Sequence, residues 1–170
     1  MINEVLNTLQ TELNVYFRTK LNPVEDKVIV SAIINQDGTI AINGENKIVM
    51  TLVNVNEAMQ LKNTPPSGIN TRPPANVDLT ILLSGYFAPG NYTEALRFIS
   101  LVMDFFHEKN VFTATNTPHL NACIEKITAQ LMTMTTEELY HLWATLGAKY
   151  MPSVVYKLQV LSSLQSSPHT

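Results

Sequence analysis

The sequence predicts an α/β protein of the α+β kind: one domain in which a mixed or antiparallel sheet of four to five strands packs against about three helices. Three observations predict this class. The chain has 170 residues, which is the size of a single domain. Apolar residues make up 45% of the chain, as is usual for a protein with a packed core. Segments with helical periodicity alternate along the chain with segments rich in β-branched residues.

The first two predicted helices are defined by their apolar spacing. Residues 2–20 form the first, which ends before Asn22-Pro23 because proline restricts the residue that precedes it. Asn91 opens the second helix and, with Glu94, has the spacing of a capping box. The apolar stripe predicted for this helix consists of Tyr92, Ala95, Leu96, Ile99, Val102, Met103 and Phe106.

The third predicted helix starts at a second capping box, formed by Thr135 and Glu138, and Gly147 is placed to end it. Trp143 lies on its apolar face, so we expect this side chain in the core rather than at an interface. The apolar face of this helix comprises Leu139, Leu142, Trp143 and Leu146.

The predicted strands are rich in valine, isoleucine and threonine. Residues 47–55 are apolar on both faces, which indicates a central strand covered on both sides. Residues 124–134 alternate, with Ile124 and Ile127 on opposite faces, although the same segment also fits a helix. The strand segments are 28–34, 47–55, 76–87, 124–134 and 153–161, with a small hairpin around 39–42.

The segment 57–75 is predicted to be a long surface loop, because Pro65, Pro66, Pro73 and Pro74 interrupt any regular element. We expect the domain to cover residues 1–162 and residues 163–170 to form a flexible C-terminal tail.

Composition excludes several classes of function. The net charge of −3 disfavours nucleic-acid binding, which needs a basic face. A single cysteine, Cys123, excludes an intrachain disulfide framework and a cysteine zinc cluster. No signal peptide and no apolar run of about 18 residues is present, so we expect a cytoplasmic chain without a membrane span. Charged residues make up only 15%, which favours a surface covered by subunit contacts.

The residues that carry chemistry form no recognisable site, and we predict no catalytic residue, cofactor or metal. The histidines are scattered without the spacing of metal ligands, and no glycine-rich phosphate loop occurs. Ser84 lacks the surrounding glycines of a nucleophile elbow and is expected on a strand. Cys123 is expected to be a small buried side chain rather than a nucleophile.

Three parts of the chain resemble one family: the strand 48–55 running into Asn56-Glu57, the segment 91–100 followed by Phe105-Phe106, and the region 138–157. Together they resemble the cap, or tail terminator, proteins of extracellular contractile injection systems of the antifeeding prophage and Photorhabdus virulence cassette type. The resemblance extends over residues 2 to about 162. The residues that carry it include Asn91, Tyr92, Ala95, Leu96, Phe106, Trp143, Gly147, Tyr150, Pro152, Ser153 and Tyr156.

The resemblance implies a tail-terminator-like fold and a structural role without enzymatic activity. Members of this family form a hexameric ring at the distal end of the particle, where the ring terminates the inner tube and anchors the sheath to it. The implied partners are other copies of the chain together with sheath and tube subunits, in a phage tail-like particle that is assembled in the cytoplasm and can be released.

Alternatives to the cap role are another tube- or sheath-associated adaptor of the same particle, or a small hydrolase or binding domain. Longer relatives carry an added C-terminal region, and some systems of this type encode two such caps. In the 57–75 loop, candidate interface residues are Pro65, Pro66, Arg72, Pro73 and Pro74, because a stiff loop loses less entropy when it docks.

Overall fold

The computed structural model describes residues 1–58 and 76–162 of the chain. These ranges contain three helices and six strands. The predicted tail and most of the predicted 57–75 loop, with all five proposed interface residues, lie outside these ranges. In chain order the elements are α1 Ile2–Leu21, β1 Val28–Val30, β2 Lys47–Glu57, β3 Asn76–Tyr86, a 3₁₀ turn at Pro89–Asn91, α2 Tyr92–Glu108, β4 Val111–Thr113, β5 Ile124–Leu131, α3 Thr136–Leu146 and β6 Ser153–Ser162.

The strands form one mixed sheet in the order β1-β2-β3-β6-β5-β4. Only β1 and β2 run parallel, and the other neighbouring pairs are antiparallel. The predicted α+β class is therefore confirmed, with six strands in place of four or five. The additional strand is β4, which has only three residues and is too short for a periodic pattern to reveal.

Helices cover both faces of the sheet. On one face, α1 and α2 enclose the larger core, in which Phe17, Ile48 and Leu83 are fully buried. On the other face, a smaller core forms around Trp143 and Val49. The central position predicted for residues 47–55 is confirmed, because consecutive residues of β2 are buried on opposite faces.

The ends of α3 follow the prediction. The Thr135 hydroxyl accepts a hydrogen bond from the Glu138 backbone N–H at 3.2 Å, and the Glu138 carboxylate accepts one from the Thr135 N–H at 2.8 Å. Gly147 ends the helix with φ of 67°, a left-handed conformation that glycine adopts at little cost.

The capping box predicted at Asn91 is wrong. The Asn91 side chain makes no cap hydrogen bond, and its Nδ2 donates instead to Asn46 Oδ1 at 3.0 Å. Glu94 lies 3.8 Å from Arg97 in an exposed ion pair. The turn at Pro89–Asn91 gives Asn91 a non-extended backbone, with φ of −111° and ψ of 26°, and a capping box needs an extended one.

The predicted apolar stripe of α2 is only half correct. Tyr92, Leu96 and Met103 are exposed by 56%, 43% and 40%. Their places in the core are taken by Phe98 and Phe105, which adjoin the predicted stripe along the edge that faces away from Leu96 and Met103. The two phenylalanine rings fill the space between α1 and the sheet. The helix is therefore rotated, and part of its apolar surface faces outward.

The alternation predicted for residues 124–134 also needs a correction. Ile124 and Ile127 are both buried in the larger core, although simple alternation puts them on opposite faces. The register between β5 and β6 shifts between Ile124 and Lys126, and this β-bulge places the extra residue, Glu125, at the surface.

The first strand and the hairpin are shorter than predicted. Only Val28–Val30 of the segment 28–34 forms a strand, and Ile33 turns into the smaller core. Around residues 39–42 the described structure has a single antiparallel bridge between Ile34 and Ile40.

Candidate assembly surface

An apolar groove of about 530 Å³ lies at the end of the sheet where β3 stops and β6 starts. It forms there because the chain turns three times at this end: at the bridge near Ile40, at Pro89 and at Gly147. Its lining comprises Ile33, Ile34, Ile40, Gly85, Tyr86, Phe87, Ala88, Pro89, Tyr92, Ala95, Gly147, Ala148, Lys149, Tyr150, Met151 and Pro152. The groove therefore combines three segments that are distant in sequence, residues 33–40, 85–95 and 147–152.

The rim of the groove carries large exposed apolar side chains. Ile40, Tyr92 and Tyr150 are each exposed by 56%. Tyr150 is held in place by an edge-to-face contact with Trp143, whose ring centroid lies 5.6 Å away at an interplanar angle of 69°. Trp143 itself is only 4% exposed, as predicted, so a core residue supports a residue of the rim.

The outer face of α2 continues this apolar surface beyond the groove. We call Leu96 and Met103 the α2 shoulder, since they lie at helical spacing on the exposed side of α2, beyond Tyr92 at the rim of the groove. Near its far end a second cavity of about 490 Å³ opens between α2 and β5, and Met103 and Leu131 line it. Leu131 is 45% exposed.

Tyr156 also lines this second cavity and is almost fully buried. Its ring stacks on Phe106 with centroids 4.2 Å apart. Burial raises the pKa of the Tyr156 hydroxyl to about 12. The phenol therefore stays neutral in the folded chain, and its contribution to stability is lost only in alkali, as the pH rises from about 10 through 12.

The residues that carry the family resemblance concentrate at these surfaces. Five of the eleven line the groove: Tyr92, Ala95, Gly147, Tyr150 and Pro152. Phe106 and Tyr156 line the second cavity. Leu96 is on the α2 shoulder between them, and Trp143 supports the groove from below. Sequence reasoning missed Ile33, Ile40 and Tyr86, because only the tertiary fold brings their segments to the groove.

Two residues that were considered for chemistry, Ser84 and Cys123, lie in different environments. Ser84 is buried on β3, as predicted. The prediction for Cys123 is wrong, since its side chain is exposed in the turn before β5, where the Asn121 side chain accepts a hydrogen bond from the Cys123 N–H. Within residues 1–58 and 76–162, no group of histidine, cysteine or carboxylate side chains could hold a metal ion.

His119 has a structural role. Its Nε2 lies 3.2 Å from Glu12 Oε1, and the Lys109 ammonium lies 2.6 Å from Glu12 Oε2. Lys109 Nζ also donates to the Asn116 carbonyl at 2.8 Å and lies 5.1 Å from the Phe112 ring centroid. This network attaches the connection between α2 and β5 to α1.

The predicted 57–75 loop leaves and re-enters the sheet at the end opposite the groove. The Ala58 N–H donates to the Asn76 carbonyl at 3.0 Å, which holds the two flanks of the loop together.

Among the helices of residues 1–58 and 76–162, none has both the length and the apolar character needed to span a membrane.

Comparisons with known proteins match this chain to a family and to several solved structures, including the two that follow. The family described as the Pvc16 N-terminal domain matches residues 4–169. The cryo-EM structure of the PVC sheath/tube terminator, from an extracellular contractile injection system in its extended state, is similar at 15% identity with a TM-score of 0.65. The tube-terminating cap of the anti-feeding prophage is similar at 18% identity with a TM-score of 0.61.

The similarity to these two structures extends over nearly all of this chain and a little over half of theirs. It covers 98% of this chain and 57% of the PVC terminator, and 96% of this chain and 55% of the anti-feeding prophage cap. At these identities the likeness shows a shared fold. No curated protein matches the sequence at a significant level.

Proposed function

Because the chain belongs to the family of the Pvc16 N-terminal domain, we propose that it is a cap protein of a contractile injection system, which terminates the inner tube and the sheath. The observation that carries this proposal is the family match, which leaves only the first three residues and the last one unmatched. The two similar structures support it, because each is named as a terminator or cap. The role is structural and requires no catalysis.

The proposed assembly is a ring of six identical copies at the distal end of the particle, anchoring the sheath to the tube. A ring of identical copies needs two different complementary surfaces on each copy. The apolar groove is concave and the α2 shoulder is convex. Both expose apolar side chains to water, which is unfavourable in free energy, and burial against another copy would remove that exposure. We propose that these surfaces form the contact between neighbouring copies.

The proposal is tested by removing the chain from a producing cell and restoring it with a tag that can be labelled. Particles without the chain should have tubes of irregular length, and complementation should restore a uniform length. The label should lie at the end distal to the baseplate, and averaged images of that end should show six-fold symmetry. Label at the baseplate or along the tube would favour the adaptor alternative, and particles of unchanged length would contradict a terminating role.

Leu96→Glu tests the contact between copies. Leu96 is 43% exposed, so we expect the variant to fold with a melting temperature close to that of the parent. A charge buried against an apolar partner is costly, so the variant should fail to cap particles. Val15→Glu is the matched control, because Val15 is 49% exposed on α1, away from both surfaces. Equal capping by both variants would exclude the α2 shoulder from the contact.

We further propose that the segment containing Pro65, Pro66, Arg72, Pro73 and Pro74 contacts a neighbouring copy or the terminal layer of sheath or tube. Replacing residues 64–74 with a short Gly-Ser linker should leave the domain folded and give overlong or ragged tubes, or sheaths that contract early. Length distributions measured by electron microscopy decide the question. Uniform particles of normal length would show that the segment has no such role.

A further inference from the structure

Both outer edges of the sheet are closed by the side-chain amide of an asparagine. The edge strands β1 and β4 have three residues each. An edge strand presents unpaired N–H and C=O groups, which can accept a strand from another chain. The bonding partners of these outward groups therefore determine whether the sheet can be extended.

At the β4 edge the blocking residue is Asn116. The Asn110 carbonyl accepts a hydrogen bond from the Ala129 N–H of β5. Because hydrogen-bonded and non-hydrogen-bonded pairs alternate along an antiparallel ladder, the backbone N–H and C=O groups of Val111 and Thr113 point away from β5. Asn116 Nδ2 donates to the Val111 carbonyl at 2.8 Å, and the Thr113 N–H donates to Asn116 Oδ1 at 2.9 Å. A residue of an added parallel strand would make the same two bonds.

Asn116 is held firmly in this position. Its own backbone N–H donates to the Thr113 carbonyl at 3.1 Å. Its carbonyl accepts the hydrogen bond from Lys109, whose ammonium is fixed by Glu12. The amide is thus pre-positioned against the edge, and an incoming strand would have to break this network to displace it.

At the β1 edge the blocking residue is Asn14 of α1. The Val28 N–H donates to Asn14 Oδ1 at 2.9 Å, and Asn14 Nδ2 donates to the Val28 carbonyl at 3.2 Å. Gln10 Nε2 donates to the same carbonyl at 3.0 Å. Asn14 is only 5% exposed. Val30 is the other residue of β1 whose backbone groups point outward. One N–H and one C=O group are too few to hold an added strand.

We propose that Asn14 and Asn116 are edge blockers, whose side-chain amides occupy the hydrogen-bonding positions of an added strand and so prevent strand addition by a second copy of the chain. One consequence rests on the proposed cap function: a protein that ends a polymer would present no sheet edge on which a further layer could continue.

Asn116→Ala in the full chain tests this proposal. The variant should fold but associate through β4, giving species larger than those of the parent chain. Sedimentation velocity across a hundredfold range of protein concentration should show an increase in mean mass of at least twofold. Asn43→Ala is the matched control, because Asn43 is exposed and its side chain has no hydrogen bond within the described ranges. A variant that sediments as the control does at every concentration would overturn the proposal.

Two further variants locate the association and guard against loss of stability. Thr113→Pro added to Asn116→Ala removes the outward N–H without touching the β5 ladder, and should restore the parent's mass; persistent association would show that another surface is responsible. Asn116→Asp retains the acceptor for the Thr113 N–H but cannot donate to Val111. It should associate more weakly than the alanine variant, and no association in either variant would contradict the proposal.

These experiments are independent of the proposed ring. Every variant is compared with the parent chain under the same conditions, whether the parent is a monomer or a hexamer. Loss of capping without new association would count against the edge blockers and not against the cap function. New association through β4 in a protein that never caps a particle would support the edge blockers alone.

Discussion

Replacing Trp143 with alanine is expected to lower the free energy of unfolding by about 3–5 kcal/mol, the usual cost of removing a large aromatic ring from a core. Trp143 is 4% exposed and is the largest side chain of the smaller core, which includes Val49, Leu82 and Val155 of the sheet. Because α3 attaches to the sheet through this ring, most of the helix should lose its packing. Urea denaturation followed by far-UV circular dichroism measures the effect.

Trp143→Phe is the matched control for this prediction. Nε1 of Trp143 is buried and has no hydrogen-bond partner among the described residues, so phenylalanine removes no hydrogen bond and only part of the ring volume. We expect a loss below about 1.5 kcal/mol. An alanine variant with an unchanged urea midpoint that fails only in particle assembly would show that Trp143 belongs to an interface.

Gly85→Val is expected to destabilise the chain by about 1–3 kcal/mol through overpacking. A Cβ atom at Gly85 would lie 3.2 Å from Ala95 Cβ and 3.7 Å from both Ala95 Cα and the Ala95 carbonyl oxygen. Valine adds two more methyl groups in the same space, so α2 must move away from β3. Because Gly85 and Ala95 both line the groove, the displacement should also widen it.

Gly90→Val and Ala95→Gly test the cause of this loss. Nothing lies within 4 Å of a Cβ built at Gly90, so valine there should cost much less than at Gly85. Ala95→Gly should cost about 1 kcal/mol by itself, since glycine is unfavourable within a helix. Combined with Gly85→Val it should cost less than the sum of the two single changes, by about 0.5 kcal/mol or more. Strict additivity would refute the steric explanation.

The sequence predicted the elements of this fold better than their orientation. Thr135 and Asn91 both have an acidic residue three positions later, yet only Thr135 forms a capping box. Two features separate them: the turn at Pro89–Asn91 gives Asn91 a non-extended backbone, and Asn46, which is 45 residues away, accepts a hydrogen bond from the Asn91 side chain. Local spacing cannot reveal a competing partner of this kind.

The rotation of α2 shows the same limit. An apolar stripe through Leu96 and Met103 and another through Phe98 and Phe105 are both compatible with helical periodicity. The choice between them depends on the shape of the space beneath α1, where Phe17 packs against Phe98 with ring centroids 5.1 Å apart. Only the tertiary structure shows that the first stripe is left outside.

The candidate assembly surface was not predicted from the sequence, where the expected interface lay in the 57–75 loop. The family resemblance included Tyr92, Ala95 and Tyr150 as structural residues, without showing that they share a groove. Asn14 and Asn116 carried no signal, because an asparagine that bonds to a strand edge looks in sequence like any polar surface residue. The two side chains block the sheet edges only because the backbone N–H and C=O groups that they bind point outward from β1 and β4. Composition and periodicity do not show which way these groups point.

The position of the groove has a mechanical consequence. The groove lies where β3 ends and β6 begins, whereas Ala58, Asn76 and Ser162 lie at the opposite end of the same strands, roughly 30 Å away for strands of this length. A pull between these two ends runs along the strands, at right angles to the hydrogen bonds of the β2–β3 and β3–β6 ladders. Such a load shears many bonds at once instead of opening them one by one, so tension along this axis meets the stiffest direction of the molecule.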